Sequence, residues 1–212
     1  MEILQQISDA LLRGDDERVS RLTGQAIDQQ VPTSAILDDG LIAGMNVVGE
    51  KFRAHEIFLP EVLLAARAMY AGLTLLKPLL LEDEVPSRGR VVIGSVQGDL
   101  HDIGKNLVGI MLTGAGFEVV DLGNDVPPEK FVDAAVEQGA AIIGMSALLT
   151  TTMSVMKQVV DLVRERGLAG KVKVIVGGAP LSGEFASEIG ADAYGYDAAN
   201  AVERVKALAG VS

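Results

Sequence analysis

His101 is one of two histidines in this chain of 212 residues, which contains no cysteine. It lies between Gly98 and Gly104, two residues after Asp99. This segment follows an apolar run, residues 90–96, that is typical of a buried strand, and it precedes a helical pattern. An imidazole beside a carboxylate, on a glycine-bounded loop at the end of a strand, has the chemistry of a metal or cofactor ligand. The loop is therefore the first candidate site.

Two other segments follow later predicted strands. Residues 146–152 are rich in Ser and Thr, and Gly177-Gly178 begins the second segment. Each has an ordinary explanation, because a Ser/Thr run can cap a helix and a glycine pair can turn the chain. If the strand order is flavodoxin-like, however, both segments meet the His101 loop at one edge of the sheet. This convergence favours a binding site.

The elements that position these residues alternate between short apolar strands and amphipathic helices. Strands are predicted over residues 91–96, 118–122, 141–145, 172–176 and 193–195. Helices are predicted over residues 103–115, 128–138, 152–166, 183–189 and 198–208. The alternation predicts a five-stranded parallel sheet covered by helices on both faces, an α/β flavodoxin-like (Rossmann-like) domain.

The first part of the chain has only helical periodicity. Four amphipathic helices joined by short connections predict an all-α four-helix bundle. The third of these contains Gly40, Gly44 and Gly49, which weaken the case for a continuous helix. The polar segment 81–89 separates the two periodicities. We therefore predict a helical domain over residues 1–80, a linker over 81–89 and an α/β domain over 90–212.

Composition restricts the function classes. The net charge of −11 argues against a nucleic-acid partner, and the lack of cysteine excludes disulfides and thiolate metal sites. The most apolar helical stretch, residues 59–81, is interrupted by Glu61, Arg67 and Lys77, which favours a packed helix over a membrane span, so no membrane association is expected. The beginning of the sequence has no basic-then-apolar signal pattern, so a cytoplasmic protein is expected.

Other glycine-loop and aspartate sites were considered for the segment at Gly98. A phosphate loop has four residues between its glycines, whereas five lie between Gly98 and Gly104, and Asn106 occupies the position of its Ser or Thr. A dinucleotide-binding fingerprint requires a different glycine spacing. A receiver-like phosphoacceptor remains open on topology, since Asp99 or Asp102 could serve. It leaves the glycine pair and the helical domain unexplained.

Three motifs occur in the order found in the cobalamin-binding domains of corrinoid proteins. Asp99-x-His101-x-x-Gly104 matches the Asp-x-His-x-x-Gly motif of that family, and Ser146-x-Leu148 and the later glycine pair match its two downstream signatures. Residues 58–60, Phe-Leu-Pro, and the helix after them are similar to the cap domain of cobalamin-dependent methionine synthase. The resemblance covers nearly the whole chain. It is greatest to the stand-alone corrinoid proteins of methylotrophic and O-demethylating methyltransferase systems.

The resemblance implies a cobalamin or related corrinoid cofactor, such as methylcobalamin, bound with its own base displaced. His101 would be the lower axial ligand of cobalt, and Asp99 would accept the other ring N–H. Thr152 would extend this hydrogen-bonded relay. The predicted cofactor-binding residues are Asp99, Leu100, His101, Asp102, Ile103, Gly104, Ser146, Leu148, Thr150, Thr152, Gly177 and Gly178.

The same resemblance assigns a place to the nucleotide tail of the cofactor. Ser146 and Leu148 would line its slot. Gly104, Gly177 and Gly178 would leave room for it to pass close to the backbone. The helical domain would shield the upper face of cobalt, where a methyl group is bound.

The implied function is methyl transport without a catalytic residue in this chain. Cob(I)alamin would accept a methyl group from a methyl-donor methyltransferase and pass it to a second, acceptor methyltransferase with tetrahydrofolate or coenzyme M. A corrinoid reductive activase would be a third partner. The donor, which is methanol, a methylamine or a methoxylated aromatic in similar systems, is left open. The alternatives are a cobalamin-based light or ligand sensor and the small subunit of a mutase.

Overall fold

The computed structural model of the chain describes residues 2–82 and 87–211, apart from the side chains of residues 81 and 82. It divides into two compact units, Met1–Pro86 with Gly114–Gly116, and Ser87–Thr113 with Phe117–Ser212. Within the predicted linker 81–89, residues 83–86 lie outside the described residues.

The first unit is helical. Its elements are α1 (Glu2–Leu12), α2 (Asp16–Asp28), α3 (Thr33–Ala35), a π-helical segment (Ile36–Ile42), α4 (Ala43–Arg53) and α5 (Leu59–Glu82). Asp15 caps α2, because its carboxylate accepts the amide N–H of Arg18 at 3.0 Å. The third predicted helix is thus three successive helical segments rather than one regular α-helix. Its π-helical part contains Gly40, which packs against Ile7 of α1.

The longest helix, α5, packs one face into the bundle. Val62, Ala66, Met69 and Leu76 on this face are buried. Its segment Leu59–Leu80 is long and apolar enough to cross a membrane by length and composition alone, as the core helix of a helical bundle can also be.

The second unit is a parallel five-stranded sheet in the order β2-β1-β3-β4-β5, which confirms the predicted flavodoxin-like fold class. Its strands are β1 (Arg90–Ser95), β2 (Glu118–Asp121), β3 (Ile142–Ser146), β4 (Lys173–Gly177) and β5 (Ala193–Gly195). Its helices are α6 (Ile103–Gly114), α7 (Pro128–Glu137), α8 (Met153–Glu165), α9 (Gly183–Ile189) and α10 (Ala198–Ala209). Each predicted end of these strands and helices lies within one residue of the observed end.

Helices cover both faces of the sheet. On one face, Phe131 of α7 and Val159 of α8 pack against Val92 and Met145 in a single apolar core. On the other face, α6 approaches Ile93 through Gly109, and α10 approaches Gly195 through Ala201. Since β1, β3 and β4 are adjacent, the loops that follow them meet at the carboxyl edge of the sheet.

Candidate functional site

Asp99 is the centre of the hydrogen bonding at this edge. Its side chain is fully buried, although it lies in the loop between β1 and α6. Oδ1 accepts the amide N–H of His101 at 3.0 Å and lies 2.8 Å from Nδ1 of the same residue. Oδ2 accepts the amide N–H groups of Leu148 and Leu149 at 2.7 and 3.1 Å and the Thr152 hydroxyl at 3.2 Å. The carboxylate therefore links the loop after β1 to the loop after β3.

These partners keep Asp99 ionised. Burial alone raises the pKa of its carboxyl, but hydrogen bonds from the amides of Leu148, His101 and Leu149 and from the His101 ring outweigh burial. The pKa of Asp99 is consequently held well below its ordinary value of 3.8. A buried anion of this kind only accepts hydrogen bonds.

The ionised Asp99 determines which nitrogen of His101 carries the proton. Because the carboxylate accepts, Nδ1 donates, and in the neutral imidazole the lone pair is then on Nε2. The His101 side chain is 53% exposed. The ring is thus oriented from inside the protein while Nε2 remains available to a metal ion, an arrangement typical of metal-binding histidines.

Exposed aliphatic side chains occur on both loops that meet at Asp99. Leu100 and Ile103 in the His101 loop are 70% and 72% exposed, and Leu148 and Leu149 in the loop after β3 are also exposed. We call these four residues the apolar rim. Large apolar side chains are usually covered, so a cluster on two adjoining loops indicates a surface that a ligand covers. An apolar, planar cofactor with a metal at its centre fits this combination.

A row of small residues crosses the sheet next to these loops. Ser95, Ser146, Gly177 and Gly195 are paired in register across β1, β3, β4 and β5, so their side-chain positions lie on one face. We call them the small-residue row. Its last member packs against α10, and the others place no bulky side chain at the carboxyl end of this face. The row suits a narrow group lying along the sheet beside His101.

The three predicted tail glycines differ in how the protein itself explains them. At Gly178, with φ +136°, a Cβ atom would lie 1.9 Å from the carbonyl oxygen of Ala147, and at Gly177 it would lie 3.0 Å from that of Gly195. Close packing within the protein thus accounts for both. At Gly104 a Cβ atom would meet no atom of the described residues within 4 Å. Packing within the described residues therefore does not account for Gly104, and the space beside it is free for a ligand.

The structure thus brings most of the predicted site residues together around Asp99. Asp102, Ser146 and Thr150 are the exceptions among those with polar side chains. Thr150 is exposed, and none of the three donates to the Asp99 carboxylate or holds the His101 ring. Asp102 instead begins α6, where its carbonyl oxygen accepts the Asn106 amide at 2.7 Å.

Sequence reasoning missed several residues that hold the His101 loop. The buried Ser95 hydroxyl donates to the His101 carbonyl oxygen at 2.6 Å. The Lys105 side chain is buried and pairs with Asp121 at 2.5 Å. Asn124 and Asp125 hydrogen-bond the loop from the segment after β2. Among these residues, only Ser95 could have been noticed locally, as a polar residue at the end of an apolar strand. The contacts of Lys105, Asn124 and Asp125 depend on the strand order, which the local sequence does not give.

Comparison with known protein families agrees with this geometry. A family model described as a B12 binding domain matches residues 89–205, and a second model with the same description matches residues 3–77. Together they account for most of both structural units.

Similar proteins extend over almost the full length of the chain. A corrinoid protein of Desulfitobacterium hafniense is 42% identical over 99% of each chain, and the dimethylamine corrinoid protein of Methanosarcina barkeri is 46% identical over 98% of this chain and 97% of its own. The crystal structure of the methanol:cobalamin methyltransferase complex MtaBC from Methanosarcina barkeri matches with a TM-score of 0.87 and 33% identity. That match covers 100% of this chain and 81% of the solved one.

Proposed function

The chain belongs to the B12-binding family of corrinoid proteins, and from this membership we propose that it carries a methyl group on its cofactor between two methyltransferases. The cofactor is cobalamin or a related corrinoid. When bound, it supplies a cobalt centre that accepts and releases the methyl group. The observation that carries the proposal is the His101 imidazole, which the buried Asp99 carboxylate holds through Nδ1 at 2.8 Å while the side chain is 53% exposed.

We assign His101 Nε2 as the atom that would bind cobalt. Asp99 keeps the proton on Nδ1, so the lone pair of Nε2 would be available to the metal. Hydrogen bonds from the amides of Leu148 and Leu149 and from His101 itself keep Asp99 ionised. The Thr152 hydroxyl, 3.2 Å from Oδ2, helps to fix the position of the carboxylate. The chain thus supplies an oriented imidazole, whereas the cofactor supplies the group-transfer chemistry.

The apolar rim and the small-residue row complete the proposed site. The rim would pack against the corrin ring, since desolvating exposed aliphatic side chains is favourable. The small-residue row, which includes Ser146 at the end of β3, would accommodate the displaced nucleotide tail of the cofactor. Gly104 would allow that tail to pass the first turn of α6, which agrees with the open space around this residue.

The partners are proposed from the named relatives. One relative is a dimethylamine corrinoid protein, and the solved complex contains a methanol:cobalamin methyltransferase. We therefore propose a donor methyltransferase acting on a methylated amine or methanol, an acceptor methyltransferase using tetrahydrofolate or coenzyme M, and a reductive activase. The proposed domains are residues 1–80 and 90–212, with residues 81–89 as the linker.

A spectroscopic experiment tests the axial assignment. The purified protein is loaded with hydroxocobalamin, and we expect an absorption spectrum without benzimidazole ligation but with histidine ligation. His101→Ala should lose the histidine-ligated form, whereas His55→Ala, the matched control in the helical unit, should keep it. A benzimidazole-ligated spectrum in the wild type would overturn the assignment. Methyl transfer to the loaded protein from purified candidate donor enzymes then tests the carrier role.

A further inference from the structure

We propose that Asp125, in the loop after β2, is a positioning residue that holds the His101 loop in its ligand-binding conformation. The inference rests on the proposed role of His101 as a cobalt ligand. Asp125 belongs to neither the apolar rim nor the small-residue row, and its own side chain is exposed. Its proposed role therefore rests on its hydrogen bonds to the His101 loop and not on burial of its side chain.

Asp125 and its neighbour bind the three residues that immediately precede His101. Asp125 Oδ1 accepts the amide N–H of Gly98 at 2.7 Å. The amide N–H of Asp125 donates to the Asp99 carbonyl oxygen at 3.0 Å. Asn124 Nδ2 donates to the Leu100 carbonyl oxygen at 3.3 Å. Together these hydrogen bonds fix the backbone that leads into the ligand.

The backbone conformation of Asp125 indicates that these contacts are maintained at a cost. Asp125 has φ +53°, in the left-handed region that glycine adopts readily and other residues seldom do. Gly98, its hydrogen-bond partner, also has a positive φ, +83°. In this left-handed conformation, Asp125 directs both its amide and its carboxylate at the His101 loop. Asp and Asn adopt this conformation more readily than other non-glycine residues, which fits the presence of Asp at this position.

The other ends of the loop are held independently of Asp125. Downstream, the Lys105 ammonium, in a side chain 4% exposed, pairs with both carboxylate oxygens of Asp121 at 2.7 and 2.5 Å. Inside, the Ser95 hydroxyl holds the His101 carbonyl oxygen. Removing the exposed Asp125 side chain therefore leaves the core and the start of α6 in place. It removes the acceptor of the Gly98 amide, and a residue that disfavours positive φ would also displace the backbone amide that donates to Asp99. The expected consequence is a less restricted His101.

A looser His101 loop should weaken the metal–histidine bond without removing the cofactor. The apolar rim and the small-residue row retain most of their members on other backbone segments. The fraction of bound cofactor with His101 ligated should thus fall, while the amount of cofactor bound stays similar. This separates a positioning residue from one that simply stabilises the fold.

Three substitutions distinguish the two properties of Asp125. Asp125→Asn keeps an acceptor oxygen and tolerates positive φ; Asp125→Gly keeps only the tolerance of positive φ; Asp125→Ala keeps neither. Asp192→Ala is the matched control, because Asp192 also accepts a backbone amide, that of Val174 at 2.8 Å, far from the His101 loop in the sheet order.

Two measurements are made on each variant. In the cofactor-free protein, hydrogen exchange of the peptide containing Gly98 and Asp99 should be at least about tenfold faster in Asp125→Ala, and faster in Asp125→Gly, as expected on losing a charged acceptor. Loaded with hydroxocobalamin, both variants should show a smaller histidine-ligated fraction. Asp125→Asn should restore the exchange rate and the spectrum, and Asp192→Ala should leave both unchanged.

The outcomes separate this inference from the proposed function. Wild-type exchange and a wild-type spectrum in Asp125→Ala would overturn the positioning role. So would an Asp125→Asn variant that behaves like Asp125→Ala. If His101→Ala has the wild-type spectrum, the ligand role of His101 is wrong, and faster exchange in Asp125→Ala then identifies the residue as a purely structural support.

Discussion

Oδ1 of Asp99 lies 2.8 Å from Nδ1 of His101 and accepts the amide N–H of the same residue at 3.0 Å. One carboxylate oxygen thus holds both the ring and the backbone of His101. The second oxygen is occupied by donors from the loop after β3. The imidazole is consequently oriented relative to two strands rather than to its own loop alone.

Replacing Asp99 by Asn should destabilise the cofactor-free protein. The amide NH2 cannot accept, so at least one set of donors to the carboxylate loses its partner in a buried position. We expect the free energy of unfolding to fall by about 2–4 kcal/mol in urea titrations. Asp102→Asn, in the same loop but partly exposed, should change it by less than about 0.5 kcal/mol. Equal effects of the two substitutions would contradict this account of Asp99.

The depressed pKa of Asp99 predicts a pH dependence. A group with a lower pKa in the folded state stabilises the protein fully above its unfolded pKa, near 3.8, and loses this contribution as the pH falls through the folded value. The stability difference between the wild type and Asp99→Asn should therefore be constant between about pH 5 and 7 and shrink below pH ~4. Urea titrations across this range measure it. If the stability difference grew on acidification, folding would raise the pKa of Asp99 instead of lowering it.

Thr152 should contribute through its hydroxyl group rather than its shape. The hydroxyl lies 3.2 Å from Asp99 Oδ2 and 2.9 Å from the Leu149 carbonyl oxygen. Thr152→Val, which removes the hydroxyl at almost constant volume, should lower the free energy of unfolding by about 1–3 kcal/mol. Thr152→Ser should cost less, because it keeps the donor. A lower melting temperature for Thr152→Ser than for Thr152→Val would contradict this role of the hydroxyl.

Gly104 and Gly178 should respond to alanine in opposite ways. Gly178→Ala places a Cβ against Ala147 at positive φ and should destabilise the cofactor-free protein by more than about 1 kcal/mol. Gly104→Ala meets open space in a helix and should be neutral or stabilising by up to about 1 kcal/mol. Its effect should appear instead as weaker binding of cobalamin, measured by equilibrium dialysis. Unchanged affinity in Gly104→Ala would remove this residue from the proposed site.

The apolar rim should matter for the cofactor and not for the fold. Leu100 is 70% exposed, so Leu100→Ser should leave the free energy of unfolding within about 0.5 kcal/mol of the wild type. Cobalamin affinity should nevertheless fall roughly tenfold or more, because the corrin would no longer cover that side chain. Val136→Ser on α7, where Val136 is 57% exposed, is the control and should change neither quantity. Equal affinities in the two variants would exclude Leu100 from the binding surface.

Much of the fold was predictable because its strands and helices follow from the local periodicity of apolar residues. Alternating apolar runs and amphipathic helices predicted the five parallel strands and their helices, and the motif at Asp99 and His101 predicted where a ligand belongs. The third helix was less regular than its stripe of apolar residues suggested. A π-helical segment interrupts it, since hydrophobic spacing tolerates one wider turn without losing its buried face.

The sequence alone determined the types of residue available for chemistry: one loop histidine, its neighbouring aspartate and the glycine after them. Only the tertiary structure decided which groups hold them. The donors from Leu148, Leu149 and Thr152 are 49, 50 and 53 positions away from Asp99, and Asp125 lies on a different loop again. Such contacts depend on strand order and register, which follow from how the whole sheet packs. Periodicity along the chain indicates which face of a helix or strand a residue occupies, but it does not indicate which residue packs against it there.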